Sequence, residues 1–196
     1  MTRLAALDSH LIETRRGGEV LLRGNFLHVR RDEVLLPSGK TATREYIVHP
    51  GAVAVVPLLD DGRVLLERQY RYPLGRVMLE IPAGKLDTGE DPWACGRREL
   101  REETGYQARE WARAGQIHNA AAYCDEVIHL WFARGLTLGP RQLDDGEFID
   151  LMPVAEDEFE RLAASGAITD VKTLIGLQWL QRLRNNTWAP TWAAAA

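Results

Sequence analysis

Short segments with alternating apolar and polar residues occupy the first quarter of the chain. Turns rich in glycine or proline separate them, as at Gly17-Gly18 and Pro37-Ser38-Gly39, and this punctuation is typical of strands joined by tight turns. The segments with this pattern are residues 19–22, 26–30, 34–36 and 41–46. They predict a small antiparallel β-meander.

A more apolar pattern follows the break at His49-Pro50-Gly51. Residues 52–59 predict a buried strand, which the turn Asp60-Asp61-Gly62 joins to a second strand at residues 63–70. Later segments predict strands at 112–117, 127–133 and 148–152, and helices at 155–164 and 171–184, the last one capped by Thr169 or Asp170. Residues 186–196 carry an alanine run and little pattern, so we expect a disordered tail.

Residues 90–104 predict a helix of about four turns. Pro92 stands near its start, where a missing N–H is harmless, and Gly105 follows its end as a natural C-cap. The glutamates at positions 99, 102 and 103 have the spacing i, i+3, i+4, so their side chains share one face of this helix. We expect that acidic face to be exposed and to line a cleft, while Leu100 and Trp93 point away from it.

Like charges at this spacing repel each other, so the three glutamates need either a compensating cation or generous solvation. Hard divalent cations prefer oxygen ligands and are often held by one or two carboxylates together with substrate phosphates. Magnesium or manganese therefore fits the pattern. The alternative is a solvated acidic helix face, because glutamate is a good helix former at surfaces.

Composition limits the classes of protein that fit. A chain of 196 residues with 45% hydrophobic and 27% charged residues is expected to form one principal globular domain. The net charge of −4 argues against a broad surface for nucleic acid. Cys95 and Cys124 lack metal-finger spacing, which favours a reducing cytoplasm, and no apolar run approaches the length of about 18 residues that spans a membrane.

The region from Gly84 to Tyr106 resembles the signature box of the Nudix hydrolases. A motif with so many constrained positions is far more specific than a single glycine fingerprint. The matching residues are Gly84, Glu90, Arg98, Glu99, Leu100, Glu102, Glu103, Gly105 and Tyr106.

The resemblance implies an α/β fold, namely an α/β/α sandwich around a mixed sheet, with the small antiparallel β segment added at the N-terminus. It implies a Nudix domain at residues 48–185, preceded by the β segment at 1–47 and followed by the tail at 186–196. Mg²⁺ is the implied cofactor, with Mn²⁺ as the alternative. The implied metal ligands are Glu99, Glu102, Glu103 and the backbone carbonyl of Ala83, whereas Glu90 and Arg98 resemble the structural ion pair of the family.

A closer likeness, to the ADP-ribose pyrophosphatase branch, runs from about Arg44 to Leu177 and includes Arg68-Gln-Tyr-Arg71 and Glu80-Ile-Pro-Ala-Gly84. It implies that the chain cleaves a nucleoside diphosphate derivative, with ADP-ribose as the expected substrate and AMP and ribose 5-phosphate as products. It also implies a homodimer built through the N-terminal segment. The expected catalytic residues are Glu102, Glu103 and Glu126, and the expected substrate-binding residues are Arg44, Tyr46, Arg71 and Glu80.

Several alternatives stay open at this point. Arg44 and Arg71 could instead form structural salt bridges, and Glu126 could be an ordinary carboxylate on an edge strand. The aromatic residues that could stack on a base could equally be core residues, namely Tyr46, Phe26 and Tyr70. Where the branch usually reads Ser-Pro-Gly, this chain has Ala120-Ala121-Ala122, which leaves GDP-mannose and NADH as further candidate substrates. A triphosphatase of damaged nucleotides and a sensor that binds a nucleotide without cutting it are two other candidate functions.

Overall fold

The computed structural model describes residues 8–195. These residues form two compact units, residues 8–49 with 120–126 and residues 50–119 with 127–195. The elements are β1 Thr14–Arg23, β2 His28–Leu35, β3 Thr41–Val48, β4 Ala52–Leu58, β5 Val64–Arg71, β6 Arg76–Glu80, β7 Ala83–Lys85, α1 Pro92–Thr104, β8 Tyr106–Ile117, β9 Ile128–Leu138, β10 Ile149–Val154, α2 Glu156–Ala164, α3 Val171–Arg184 and β11 Ala193–Ala194.

The first unit contains an antiparallel three-stranded sheet in the order β1-β2-β3. The predicted meander is confirmed, but the segments 26–30 and 34–36 form parts of one strand, β2. Asp32 interrupts the apolar pattern in the middle of β2, yet its carboxylate accepts hydrogen bonds from Arg15 Nε at 2.8 Å and from the Tyr46 hydroxyl at 2.9 Å. These neighbouring strands supply the partners that let a charged residue continue the strand.

The second unit is built on a mixed sheet with the order β10-β5-β4-β9-β8-β11, to which β6 adds beside β5 and β7 beside β4. The strands β4 and β9 pair in parallel, with Ala52 opposite Ile128 and Leu58 opposite Arg134. The predicted β4–β5 connection is present, but the two strands share a single residue pair, Leu58 with Val64. Most of β5 pairs instead with β6 and β10.

Both faces of β4 are buried, so its sequence is apolar without alternation. Val55 packs on one face in a cluster with Leu100 of α1 and Trp111 of β8. Ala54 and Val56 pack on the other face, in the cluster that contains Leu177 and Leu180 of α3. Helices therefore cover both sides of the sheet in this unit, and the predicted α/β/α arrangement is confirmed.

Residues 186–195 do not form the disordered tail that we predicted. Trp188 and Trp192 pack against the main core cluster, and the guanidinium of Arg134 lies 3.9 Å from the ring centre of Trp192. The strand β11 then extends the sheet by pairing Ala193 with Trp111. The sequence pattern did not predict this packing, because the large apolar surfaces of the segment come from two separate tryptophans and the rest is rich in alanine.

Two short strands, β6 and β7, were not predicted, and β8 and β9 extend beyond their predicted ends. The segment from Arg76 to Lys85 has proline and glycine close to each strand, which resembles a loop in sequence. Pairing to β5 and β4 makes these segments strands, so neighbours in space decide their conformation. No helix among residues 8–195 has the length and apolar character needed to cross a bilayer.

Candidate functional site

Helix α1 begins and ends where its local sequence predicts, within two residues. The side chain of Asp91 accepts hydrogen bonds from the N–H groups of Trp93 and Ala94 at 2.9 and 3.2 Å and so forms the N-cap. Pro92 is the first helical residue. Gly105 closes the helix in the left-handed region at φ 77°, where a side chain would be strained. These caps fix the register of the three glutamates.

The glutamates of α1 meet the backbone of β7. Glu103 Oε2 accepts a hydrogen bond of 3.0 Å from the N–H of Ala83. The carboxylate of Glu99 lies against Gly84 so closely that a Cβ atom at Gly84 would stand 1.9 Å from Glu99 Cδ. Ala83, Glu99 and Glu103 are thus brought together.

Arg98 connects Glu90, which precedes the helix, with Glu99 and Glu102 of the helix. Its Nε and Nη2 donate to both oxygens of Glu90 at 2.9 Å, while Nη1 donates to Glu99 at 2.7 Å and to Glu102 at 3.1 Å. The hydrogen bonds from Arg98 lower the pKa of Glu90 to about 2. The Glu90–Arg98 pair is therefore present, and the same guanidinium also holds two of the expected metal ligands.

The acidic face is more buried than the sequence suggested. We expected it to be exposed, but Glu103 is only 5% exposed, and the side chains of Glu99 and Glu102 are 12% and 23% exposed. Burial raises the pKa of Glu99 to about 7 even though Arg98 opposes the shift. Burial, reinforced by the nearby Glu67 and Glu99, raises the pKa of Glu103 well above its usual value. A freely solvated acidic face is thus excluded.

These residues fit a hard divalent cation. Their donors are carboxylate oxygens next to the bare backbone at Gly84, and a cation would offset the burial, and the added repulsion between carboxylates, that raises the pKa of Glu99 and Glu103. Within residues 8–195 no three side-chain ligands already surround one point in a ready metal geometry. Arg98 pairs with one oxygen of Glu99 and one oxygen of Glu102.

Arg71 and Glu80 form a second polar group on adjacent strands. The Nε and Nη2 atoms of Arg71 donate to the two oxygens of Glu80 at 2.7 and 2.8 Å, and the Nζ of Lys172 donates to the same carboxylate. Although burial opposes ionisation, these hydrogen bonds lower the pKa of Glu80 to about 2. Glu80 is 4% exposed, whereas the Arg71 side chain is 41% exposed. Arg71 is therefore the member of this pair that solvent or a ligand reaches.

The other expected site residues belong to the first unit. Arg44 pairs with Glu13 at 2.5 Å, and Tyr46 donates its hydroxyl to Asp32. Glu126 lies 3.6 Å from His49 Nε2. Phe26 is 54% exposed and contacts the His49 ring edge-on, so it is not a core residue.

The alanine-rich loop before Glu126 is an ordered turn. The carbonyl of Ala120 accepts hydrogen bonds from the N–H groups of Tyr123 and Cys124, both at 2.9 Å. Ile47 of β3 then pairs with Cys124 through an isolated parallel bridge. The turn therefore closes without the proline and glycine that are usual at this place.

Sequence reasoning missed Glu67, which lies on β5 directly opposite Glu80 of β6. Glu67 is 3% exposed, and its Oε1 has no hydrogen-bond partner among the described residues. Burial raises its pKa to about 8, although Arg141 opposes the shift. The sequence did contain a signal for Glu67. It stands four positions before Arg71 in a strand, so the two side chains lie on the same face of that strand.

Comparison with known proteins agrees with this fold. Residues 48–173 match the model of the NUDIX domain, and residues 13–47 match that of the nucleoside diphosphate sugar hydrolase N-terminal domain. The chain therefore belongs to the Nudix family of hydrolases. This confirms the resemblance that the motif from Gly84 to Tyr106 indicated.

Individual relatives have related names. An ADP-ribose pyrophosphatase of Bacillus subtilis strain 168 is 38% identical over 165 residues, which cover 83% of this chain and 89% of that protein. A GDP-mannose pyrophosphatase of Yersinia enterocolitica is 32% identical, covering 67% and 73% of the two chains. A crystal structure of an ADP compounds hydrolase aligns with a TM-score of 0.80 at 20% identity, covering 89% of this chain and 95% of that one, and supports the fold.

Proposed function

We propose that the chain is a magnesium-dependent pyrophosphatase that hydrolyses ADP-ribose to AMP and ribose 5-phosphate. Water adds to one phosphorus of the diphosphate, and the bond from that phosphorus to the bridging oxygen breaks. The observation that carries the proposal is the convergence of Glu99, Glu103 and the Ala83–Gly84 backbone in a member of the Nudix family. The choice of ADP-ribose follows the 38% identical relative.

The glutamates of α1 are proposed to hold the cation, together with the carbonyl of Ala83. Mn²⁺ would satisfy the same oxygen donors. When bound, the cation neutralises the diphosphate charge and activates a water molecule. Glu99, Glu102 and Glu103 would contribute by fixing that charge in a largely dehydrated site, where electrostatic stabilisation is strongest. Arg98 is proposed to hold Glu99 and Glu102 in position at the site.

Arg71 is proposed to bind a phosphate oxygen of the substrate. The ion pair with Glu80 fixes the plane of its guanidinium, and a planar fork suits phosphate oxygens. Glu80 is then better described as the residue that orients Arg71 than as a direct contact, because it is buried and shared with Lys172.

The first unit is proposed to complete the nucleotide pocket in a homodimer. Tyr46 and Arg44 would contact the base and phosphates, and Glu126 would act as the general base. The ion pair of Arg44 with Glu13 is a surface contact of small energy, so a phosphate can displace it. We propose a cytoplasmic location because Cys95 and Cys124 are both free thiols.

A substrate panel tests the proposal. The purified chain is incubated with MgCl₂ and, separately, ADP-ribose, GDP-mannose, NADH or a nucleoside triphosphate, and products are separated by ion-exchange chromatography. We expect AMP and ribose 5-phosphate from ADP-ribose and the highest kcat/KM for that substrate. Preference for GDP-mannose would instead favour the activity named for the Yersinia relative. No turnover of any diphosphate compound would refute the enzyme proposal.

The substitution Glu103→Gln separates catalysis from folding. Glutamine keeps an oxygen for the N–H of Ala83, so the fold should persist, but the charge on a proposed metal ligand is lost. Because metal ions supply several kcal/mol to such reactions, we expect kcat to fall by at least about a hundredfold. The matched control is Glu160→Gln on the exposed face of α2, which should leave kcat unchanged. Near wild-type activity of Glu103→Gln would contradict the assigned role.

A further inference from the structure

An open cavity of about 810 Å³ lies beside α1 and is lined by four arginines, Arg97, Arg98, Arg101 and Arg109. No aspartate or glutamate is among the lining residues that the structure describes. The chain as a whole has a net charge of −4, so the positive charge of this lining is opposite in sign to the net charge of the molecule. A concave surface with charges of one sign concentrates counter-ions, in this case anions.

The cavity is on the opposite side of α1 from the acidic site. Arg97 and Arg101 are spaced i, i+4 and share one helix face. Glu99 and Glu103 have the same spacing, shifted by two residues, which rotates them by about 200° around the helix axis. A ligand in the cavity would therefore contact the face of α1 that carries Arg97 and Arg101, whereas Glu99 and Glu103 lie on the face next to Gly84.

Arg97 and Arg101 have side chains that a ligand in the cavity can reach, and Arg109 of β8 is an exposed residue in the same wall. Arg98 belongs to the acidic site through its bonds to Glu90, Glu99 and Glu102. Arg97 instead rests over the ring of Trp93 at 5.0 Å, a contact that positions the guanidinium and leaves its N–H groups to other acceptors. The Arg101 side chain is 48% exposed, and Glu102 approaches it only to 3.6 Å.

A buried donor adjoins these arginines. Trp111 is 2% exposed and forms part of the cavity wall. Its Nε1 is buried and has no hydrogen-bond partner among residues 8–195. Buried donors are normally paired with protein or with an ordered water molecule, and among the described residues the Nε1 of Trp131, in the same core cluster, is unpaired as well.

We propose that this cavity is a second anion site, which binds the phosphate chain of a polyphosphate through Arg97, Arg101 and Arg109. Three guanidinium groups match the charge of a di- or triphosphate, and their forked donors suit phosphate oxygens. The volume lies within the range of small-molecule sites, so it accommodates either a nucleoside triphosphate or an inorganic polyphosphate. This site is separate from the proposed cleavage of ADP-ribose.

Binding without catalysis tests the proposal. Inorganic tripolyphosphate and ATP are titrated separately into the chain in EDTA, with calorimetry for the affinity and ¹H–¹⁵N spectra for the indole N–H signals. We expect the Trp93 signal, assigned with Trp93→Phe, to shift, while the signal of Trp179, which packs in the other core cluster, stays in place. Similar affinities for the two compounds would identify the phosphate chain as the ligand, and tighter ATP binding would identify a nucleotide.

Matched variants locate the binding. We expect Arg97→Gln and Arg101→Gln each to weaken binding at least about tenfold, the usual effect of losing a hydrogen bond to a charged group. Arg161→Gln, an exposed arginine of α2, should leave the affinity unchanged. Absence of binding by both compounds would overturn the proposal. So would binding that Arg71→Gln abolishes and the two cavity variants leave intact, because the anion would then occupy the acidic site.

Discussion

Glu67 is a carboxyl group whose buried environment disfavours its charged form. It ends the buried run of β5, and one of its oxygens has no hydrogen-bond partner in the described part of the chain. Burial of a carboxyl group favours the protonated form, and the neighbouring Glu80 adds to the shift that Arg141 opposes, which together give a pKa of about 8. Glu67 is therefore expected to keep its proton at neutral pH in the metal-free protein.

This protonation predicts a pH-dependent stability. In the unfolded chain Glu67 ionises near its ordinary value of 4.5, but in the folded chain only near 8. Between these values the folded state binds the extra proton, so the free energy of unfolding falls as pH rises, by about 3 kcal/mol between pH 5 and pH 8. Urea denaturation at pH 5 to 8 in EDTA measures this fall in the free energy of unfolding.

The variant Glu67→Gln is the test of this explanation, because it is neutral at every pH. It should flatten the decline in stability, whereas Glu160→Gln on the surface should reproduce the wild-type curve. The raised pKa of Glu99 and of Glu103 contributes in the same direction, so some slope will remain. An unchanged slope in Glu67→Gln would show that Glu67 is ionised in the folded protein.

At the scale of elements, the contact between α1 and β7 determines the geometry of the acidic site. The caps at Asp91 and Gly105 fix which residues of α1 face β7. The hydrogen bond from Ala83 to Glu103 and the bare Gly84 allow the helix to approach the strand closely. A side chain at position 84 would force the carboxylate of Glu99 to move away from the backbone of β7.

The substitution Gly84→Ala is predicted to disable the site. The new Cβ would lie 1.9 Å from Glu99 Cδ, so the carboxylate must move away from the backbone of β7. Misplacing a catalytic group by about 1 Å can cost a hundredfold in rate, and we expect a loss of about that size in kcat together with weaker Mn²⁺ binding by calorimetry. Gly17→Ala is the control, because nothing lies within 4 Å of a Cβ there. Equal activity of the two variants would contradict this account.

At the scale of the whole molecule, β1 and the turn that follows it expose an apolar surface. Val20, Leu21 and Leu22 of β1 are 47%, 41% and 48% exposed, and Phe26 and Leu27 in the next turn are 54% and 40% exposed. Consecutive exposed apolar residues of this kind often mark a protein interface. They support the proposed homodimer, in which this surface would be covered by the second subunit.

Self-association is therefore predicted at micromolar concentrations. Sedimentation equilibrium should give twice the 22.1 kDa mass of one chain. Leu22→Asp should shift the equilibrium to monomers, because it places a charge in the proposed interface. Val77→Asp, on the similarly exposed Val77 of β6, serves as the control and should remain dimeric. A wild-type protein that is monomeric at all concentrations would exclude the homodimer.

The sequence by itself determined the local features of this protein. The caps and spacing of residues 90–105 predicted α1 and the common face of Glu99, Glu102 and Glu103, because helix geometry depends only on nearby residues. The same motif predicted the family, and the mixed sheet between helices followed from it. These inferences needed no knowledge of which distant segments meet.

Tertiary structure decided burial, charge state and pairing. The packing of β7 and its neighbours, rather than the helix itself, makes Glu103 buried instead of exposed and raises its pKa. Pairing with β4 and β5 makes strands of β7 and β6, and packing of Trp188 and Trp192 orders the tail. Desolvation and strand pairing depend on contacts between residues far apart in the chain, so local sequence patterns do not contain them.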